Sequence, residues 1–286
     1  MIIVFIWGLF LTLSFAVLNA FYSVSNSEYL EKDLYKKERS LIFLNSVLYK
    51  VVDLLNRDKN NYDAETELWA KPFEIETPLG KLEIKIVDLD RYINVNYVGK
   101  DPKVTKAFER LLELLDINPL LEERLEIWNG AKKAANWNLP YPPKGKPLDS
   151  LYEFNYFWNN TRDLYGNKNG VLQKPGLLEL VTVYSNGKIN INTAPYWVLR
   201  SLDPEIDDVL ARQIIEKRQQ QPFKNLMDLL TVDGINMDLL YRISNLIVFK
   251  SRFWKISITL IQGGYSTTLV AIYDKNTKHF IIKKIN

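Results

Sequence analysis

Apolar positions are arranged very unevenly along the chain. From Ile2 to Tyr22 almost every residue is apolar, and no charged residue precedes Glu28. A 21-residue helix rises about 31 Å, the thickness of a bilayer's hydrocarbon core, so this run reads as a membrane-spanning anchor. A secretory signal peptide would carry a basic start, a shorter apolar run and a small-residue exit. From Glu28 to Arg57 the pattern changes to one apolar stripe. Leu30, Leu34, Leu41, Leu44, Leu48, Val51, Val52 and Leu55 recur every three or four residues, with charges between them and no Gly or Pro. That spacing predicts a helix continuing out of the anchor and packing one face on a folded body.

Strict alternation follows at Phe73–Thr77 and Leu82–Val87, separated by Pro78-Leu-Gly80, and predicts a hairpin with one buried face. The stretch 88–96 is expected to continue that second strand. Helical spacing then covers Lys103–Leu115 and Pro119–Ala135, with a shorter helix predicted over Asp149–Phe157. An extended run is expected over Leu178–Tyr184. A further helix is predicted over Tyr196–Ser201, with Asn192 or Thr193 as its cap and Pro195 in its first turn. Asp203-Pro204 would cap another reaching about Gln219, and short helices are expected near Asn225–Leu230 and Asn236–Leu246. Phe253–Gln262, Thr267–Tyr273 and His279–Ile285 read as a closing meander. The fold class is therefore α+β: a long N-terminal helix on an antiparallel sheet, with a large α-helical insertion. The last strands should pair with the first, since open edges invite aggregation. The expected units are an anchor at 1–24, helix and first strands at 25–98, inserted helices at 99–184, a helix-hairpin-helix (SAM-like) module at 185–250, and closing strands at 251–286.

Composition narrows the chemistry. The 286 residues contain 37 Lys and Arg, 34 Asp and Glu, one His and no Cys. Thiolate metal sites, disulfides and Cys nucleophiles are excluded, and a single histidine, His279, makes a His-based triad or zinc site hard to assemble. No enzyme is expected. Asp88 and Asp90 share a strand face and could serve as an acid–base pair, as in an anchored hydrolase, or bind a hard cation, but they read more simply as surface charge near Lys85 and Arg91. Two echoes stand out, Ile93-Asn-Val-Asn96 and Ile189-Asn-Ile-Asn-Thr-Ala-Pro195, and both read as strand-to-helix joints. The 192–249 stretch has the rhythm of a DNA-binding helix-hairpin-helix. Its first hairpin, Leu202–Asp208, has no Gly and several acids, the wrong sign for phosphate, which argues against a nucleic-acid partner.

In this order the motifs resemble the minor pseudopilin K family of the bacterial type II secretion system. Leu178–Leu202, with its N-x-N-T-A-P core, carries most of the likeness. Asp88–Asn96 and Pro140-Tyr-Pro-Pro143 with Leu148–Glu153 add to it. The resemblance implies a prepilin peptidase substrate cut between Gly8 and Leu9. It implies a single-pass inner-membrane protein with its body in the periplasm. It implies a place at the pseudopilus tip with minor pseudopilins I and J and other pseudopilins, supporting protein export across the outer membrane. Leu13 stands at the fifth mature position, where other pilins carry Glu. The family's calcium-associated acidic run appears here as Ile127-Trp-Asn-Gly-Ala131, with no acid between Glu126 and Asp149, and no cofactor is expected. The alternative function is a membrane-anchored DNA receptor of the competence type.

Overall fold

The computed structural model describes residues 14–15, 17–19, 35, 37–134, 137–166 and 174–286. Gly8 and Leu9, and most of the expected anchor, lie outside the described residues. Among the described residues no helix is long and apolar enough to cross a membrane.

The stripe seen in the sequence becomes helix α1, residues 37–57. Leu44, Leu48, Val51, Val52 and Leu55 are buried on it. They pack on a five-stranded antiparallel sheet of order β1-β2-β7-β8-β9. Its strands are β1 (Phe73–Thr77), β2 (Gly80–Asp88), β7 (Phe253–Gln262), β8 (Tyr265–Asp274) and β9 (His279–Ile285). β2 pairs with β7 in the register Ile84↔Ile258 and Asp88↔Trp254, so the last strands do close on the first. Alternation along β2 and β7 sends Leu82, Ile84, Ile86, Ile256, Ile258 and Leu260 to the helix side. Trp69 meets Trp254 edge-on, with ring centroids 4.6 Å apart, and closes one end of this core.

Between β2 and β7 the chain makes a second, larger core. The extended segment expected to run through Asp88–Asn96 does not hold. The chain leaves the sheet at Asp88, and Ile93–Asn94 (β3) pairs in parallel with Val181–Thr182 (β4). Helices α2 (Pro102–Leu114), α3 (Leu120–Trp128), α4 (Phe154–Phe157) and α5 (Thr161–Tyr165) lie between those strands. A second parallel pair follows, β5 (Ile189–Asn190) with β6 (Ile247–Val248), enclosing α6 (Tyr196–Leu202), α7 (Asp208–Gln220) and α8 (Met237–Ile243). α2 packs on α6.

Several boundaries move from the sequence reading for local reasons. α3 stops at Trp128 because Gly130 turns the chain at φ +79°. Residues 151–153 are a 3-10 turn opened by Ser150, and only 154–157 are α-helical. The expected strand over 178–184 shrinks to two residues because 177–179 coil into another such turn. α6 is preceded by Pro195 with no side-chain cap, since Asn192 and Thr193 are engaged elsewhere. α7 is capped by Asp207, whose carboxylate accepts from Leu210 N at 2.8 Å, while Asp203 accepts from Glu205 N in the preceding turn.

Candidate functional site

The two parallel strand pairs follow the same path. The backbone N–H of Ile93 donates to Leu180 O, and that of Ile189 to Leu246 O. Asn94 Oδ1 accepts from Asn96 N at 3.0 Å, and Asn190 Oδ1 accepts from Asn192 N at 3.0 Å. The second Asn of each motif then behaves as a substitute backbone strand. Asn96 accepts from Leu148 N (2.6 Å) and donates to Leu148 O (2.9 Å). Asn192 accepts from Phe223 N (2.9 Å) and donates to Phe223 O (2.8 Å). An amide side chain carries one donor and one acceptor edge, so it can satisfy a lone peptide group on both sides. Pro147-Leu148-x-Ser150 and Pro222-Phe223-x-Asn225 then open equivalent 3-10 turns. Glu153 accepts from Asp149 N, as Asp228 does from Lys224 N. The helical half is thus built from two arms of one design. The echo of I-N-x-N was legible in the sequence; the matching Pro-x-x-(Ser/Asn)-Leu-x-(Glu/Asp) signal was there too, at a spacing that needed the structure to align it.

Asp88 and Asp90 are not surface charge. Both are at most 1% exposed. They sit where the chain leaves the sheet after β2 and returns through β7, between the two cores. Asp88 accepts from Asp90 N (2.8 Å), Asn190 Nδ2 (3.1 Å) and Thr193 Oγ1 (2.5 Å). Asp90 Oδ2 accepts from Arg252 N (2.6 Å) and Phe253 N (3.0 Å). Asn190 Nδ2 also approaches Asp63 O and Ser251 Oγ, and Ser251 N donates to Asp63 Oδ2 at 2.7 Å. Arg91 turns away to Glu65, at 2.7 Å. Burial dominates the electrostatics. It raises Asp88, brings Asp63 to about 7 against the pull of Lys275, and with the neighbouring Asp88 charge brings Asp90 to about 8. These carboxyls have no face through which a substrate could reach them. Their lone pairs hold backbone amides and side chains of three segments together, a structural use of polar groups in a buried place. Sequence reasoning missed Asp63 entirely, because nothing in its local pattern marks it.

The hairpin at 202–208 buries one of its acids, Asp203, and leaves Glu205, Asp207 and Asp208 exposed. Asp203 and Glu205 pair with Arg242 at 2.8 and 2.7 Å, and Arg110 donates to Ser201 O and Leu202 O. Arg218, 4% exposed, donates to Ile191 O and Ala194 O at 2.8 Å each; burial lowers it to about 10. These cations serve carbonyls and carboxylates within the fold, which fits a packing module better than a phosphate-binding one. His279 is exposed at the start of β9. The residues near the family's calcium-associated run do not fit a calcium ion: Asp149 and Glu153 are bound by Lys144 Nζ at 2.7 and 3.0 Å, and Glu153 also accepts from Trp128 Nε1. Among the described residues there is no cluster of three or more His, Asp or Glu able to hold a metal ion. Calcium needs about six to eight oxygen ligands.

Residues 189–248 match the family model of type II secretion system protein K. That span begins at β5 and ends at β6, so it is the second arm. The resemblance to the protein K family is borne out. A chain of the crystal structure of the GspK-GspI-GspJ complex from the enterotoxigenic Escherichia coli type 2 secretion system shares the fold. Its TM-score is 0.64 at 13% identity, covering 89% of this chain and 98% of that one. No curated protein matches the sequence. Together the family match and the shared fold support a pseudopilin role in type II secretion.

Proposed function

We propose that this protein is the K-type minor pseudopilin of a type II secretion system, a non-enzymatic subunit that caps or initiates the pseudopilus and so supports protein export across the outer membrane. The observation that carries this reading is the architecture: a long helix on a five-stranded sheet with a two-armed helical insertion, shared over nearly the full length of a chain from the GspK-GspI-GspJ complex. The protein's partners are minor pseudopilins I and J. The exposed side of α1 that carries Ile42 and Tyr49, seven residues apart and both more than half exposed, is the surface it offers them together with the helical half. An apolar surface of this kind on a helix marks an interaction face. The apolar N-terminal segment anchors the subunit in the inner membrane with its body in the periplasm, after prepilin peptidase cuts between Gly8 and Leu9.

The test is co-expression of residues 25–286 with the soluble parts of minor pseudopilins I and J from the same secretion system. A stable ternary complex on size exclusion is expected, and three separately eluting proteins would count against the reading. N-terminal sequencing of the membrane-extracted protein should begin at Leu9.

A further inference from the structure

The two arms of the helical half differ in one respect. In the second arm, the space beside the strand exit is filled by the chain itself. Asp63, from the segment that follows α1, donates its N–H to Phe249 O at 2.8 Å, accepts at its carbonyl from Asn190 Nδ2 at 2.9 Å, and accepts at its carboxylate from Ser251 N at 2.7 Å. Lys275 Nζ stands 3.9 Å from the same carboxylate. One aspartyl residue in the irregular segment after α1 therefore answers three groups at once. Its place in the fold is set by the I-N-x-N motif and the strand beside it.

The corresponding groups of the first arm are Asn94, Val183 and Ser185, and all three line an open cleft of about 570 Å³. Asn94, 2% exposed, spends one amide hydrogen on Ser185 O at 2.8 Å and has a second on the same nitrogen. Among the described residues Val183 O is approached only at 3.4 Å, by Asn96. Among the described residues no acceptor is bonded to Ser185 N. Lys100 borders the cleft, as Lys275 borders Asp63. Asp101 borders it too, but its carboxylate is turned to Lys103 N and Val104 N at the start of α2. Buried polar groups in folded chains are paired in the large majority of cases. Here the set that is filled in one arm recurs, open, in the other.

We propose that the first-arm cleft is a docking site for an aspartyl residue carried on an extended segment of a partner protein, held as Asp63 is held in the second arm. The partner's N–H meets Val183 O, its carbonyl takes the second hydrogen of Asn94, and its carboxylate takes Ser185 N with Lys100 alongside. The chain's own segment stays in the second arm because its tether gives it an effective concentration in the millimolar range.

The probe is a fluorescein-labelled peptide with the sequence of residues 59–67, titrated with the full-length protein in detergent micelles and followed by anisotropy. Saturable binding is expected. Replacing the peptide's aspartate (Asp63→Ala) should weaken it about tenfold or more, the cost of one charge-assisted hydrogen bond and a salt bridge. In the protein, Lys100→Glu should weaken binding about fivefold to tenfold, and Ser185→Pro, which removes the amide donor, at least about tenfold. Lys283→Glu, on the distant strand β9, should leave it unchanged. Urea unfolding of each variant separates a lost site from a lost fold, and Lys100→Glu, an exposed position, carries the test if Ser185→Pro does not fold. No saturable binding, equal binding of the Asp63→Ala peptide, or wild-type affinity in Lys100→Glu would overturn the proposal.

Discussion

Asn192→Ala is the sharpest perturbation the geometry offers. Asn192 is 1% exposed and its amide closes a two-point contact with the backbone of Phe223, at 2.8 and 2.9 Å. Truncation leaves a buried N–H and a buried C=O without partners. Each orphaned group costs about 1–3 kcal/mol, so the loss should be about 2–6 kcal/mol. Asn96→Ala removes the same pair of bonds to Leu148, but Asn96 is only half-buried, and water can reach the groups it leaves. That variant should lose about 1–2 kcal/mol. The order of the two costs is therefore fixed by burial and not by hydrogen-bond number. Urea unfolding of the soluble body, followed by tryptophan fluorescence, measures both. Equal losses, or a larger loss at Asn96, would refute the argument that the second arm's amide serves a sealed joint and the first arm's an open one.

Three further outcomes follow from the same structure. The folded-state pKa of Asp90, about 8, lies above its unfolded value, so its share of stability is complete below about pH 4 and is lost as pH rises through 8, by about 1.4 kcal/mol per pH unit inside that window. The stability gap between wild type and Asp90→Asn should shrink by that slope from pH 5 to pH 7; a constant gap in urea titrations at the two pH values contradicts it. Leu48→Ala, fully buried between α1 and the sheet, should cost about 2–5 kcal/mol by chemical denaturation. Gly80→Ala places a Cβ 2.2 Å from Ile261 O at a residue with φ +130°, so it should lose about 2 kcal/mol or more, visible as a lowered thermal midpoint.

Much of the frame was legible in the chain itself. The three-and-four spacing from Leu44 to Leu55 requires one buried helix face. The alternation of residues 73–77 and 82–87 requires a half-buried hairpin. The absence of Cys and the single His remove most catalytic chemistries before any fold is drawn. The N-x-N-T-A-P stretch carried the family likeness through its own residues. What the sequence could not decide was partnership across distance. Asp88 and Asp90 look like surface charges, because local alternation says only that they share a face and not what covers it. Asp88 is covered by Asn190, Thr193 and Ser251, and Asp90 by the backbone amides of Arg252 and Phe253, all more than 100 residues away. Asp63 has no motif at all and becomes a structural group only because β2 and β7 pair and bring the two ends of the insertion beside the segment that follows α1. Local patterns fix which residues want burial. Only the closed sheet and the doubled arm determine which polar groups are buried together, and which of two matching slots the chain fills with its own aspartate.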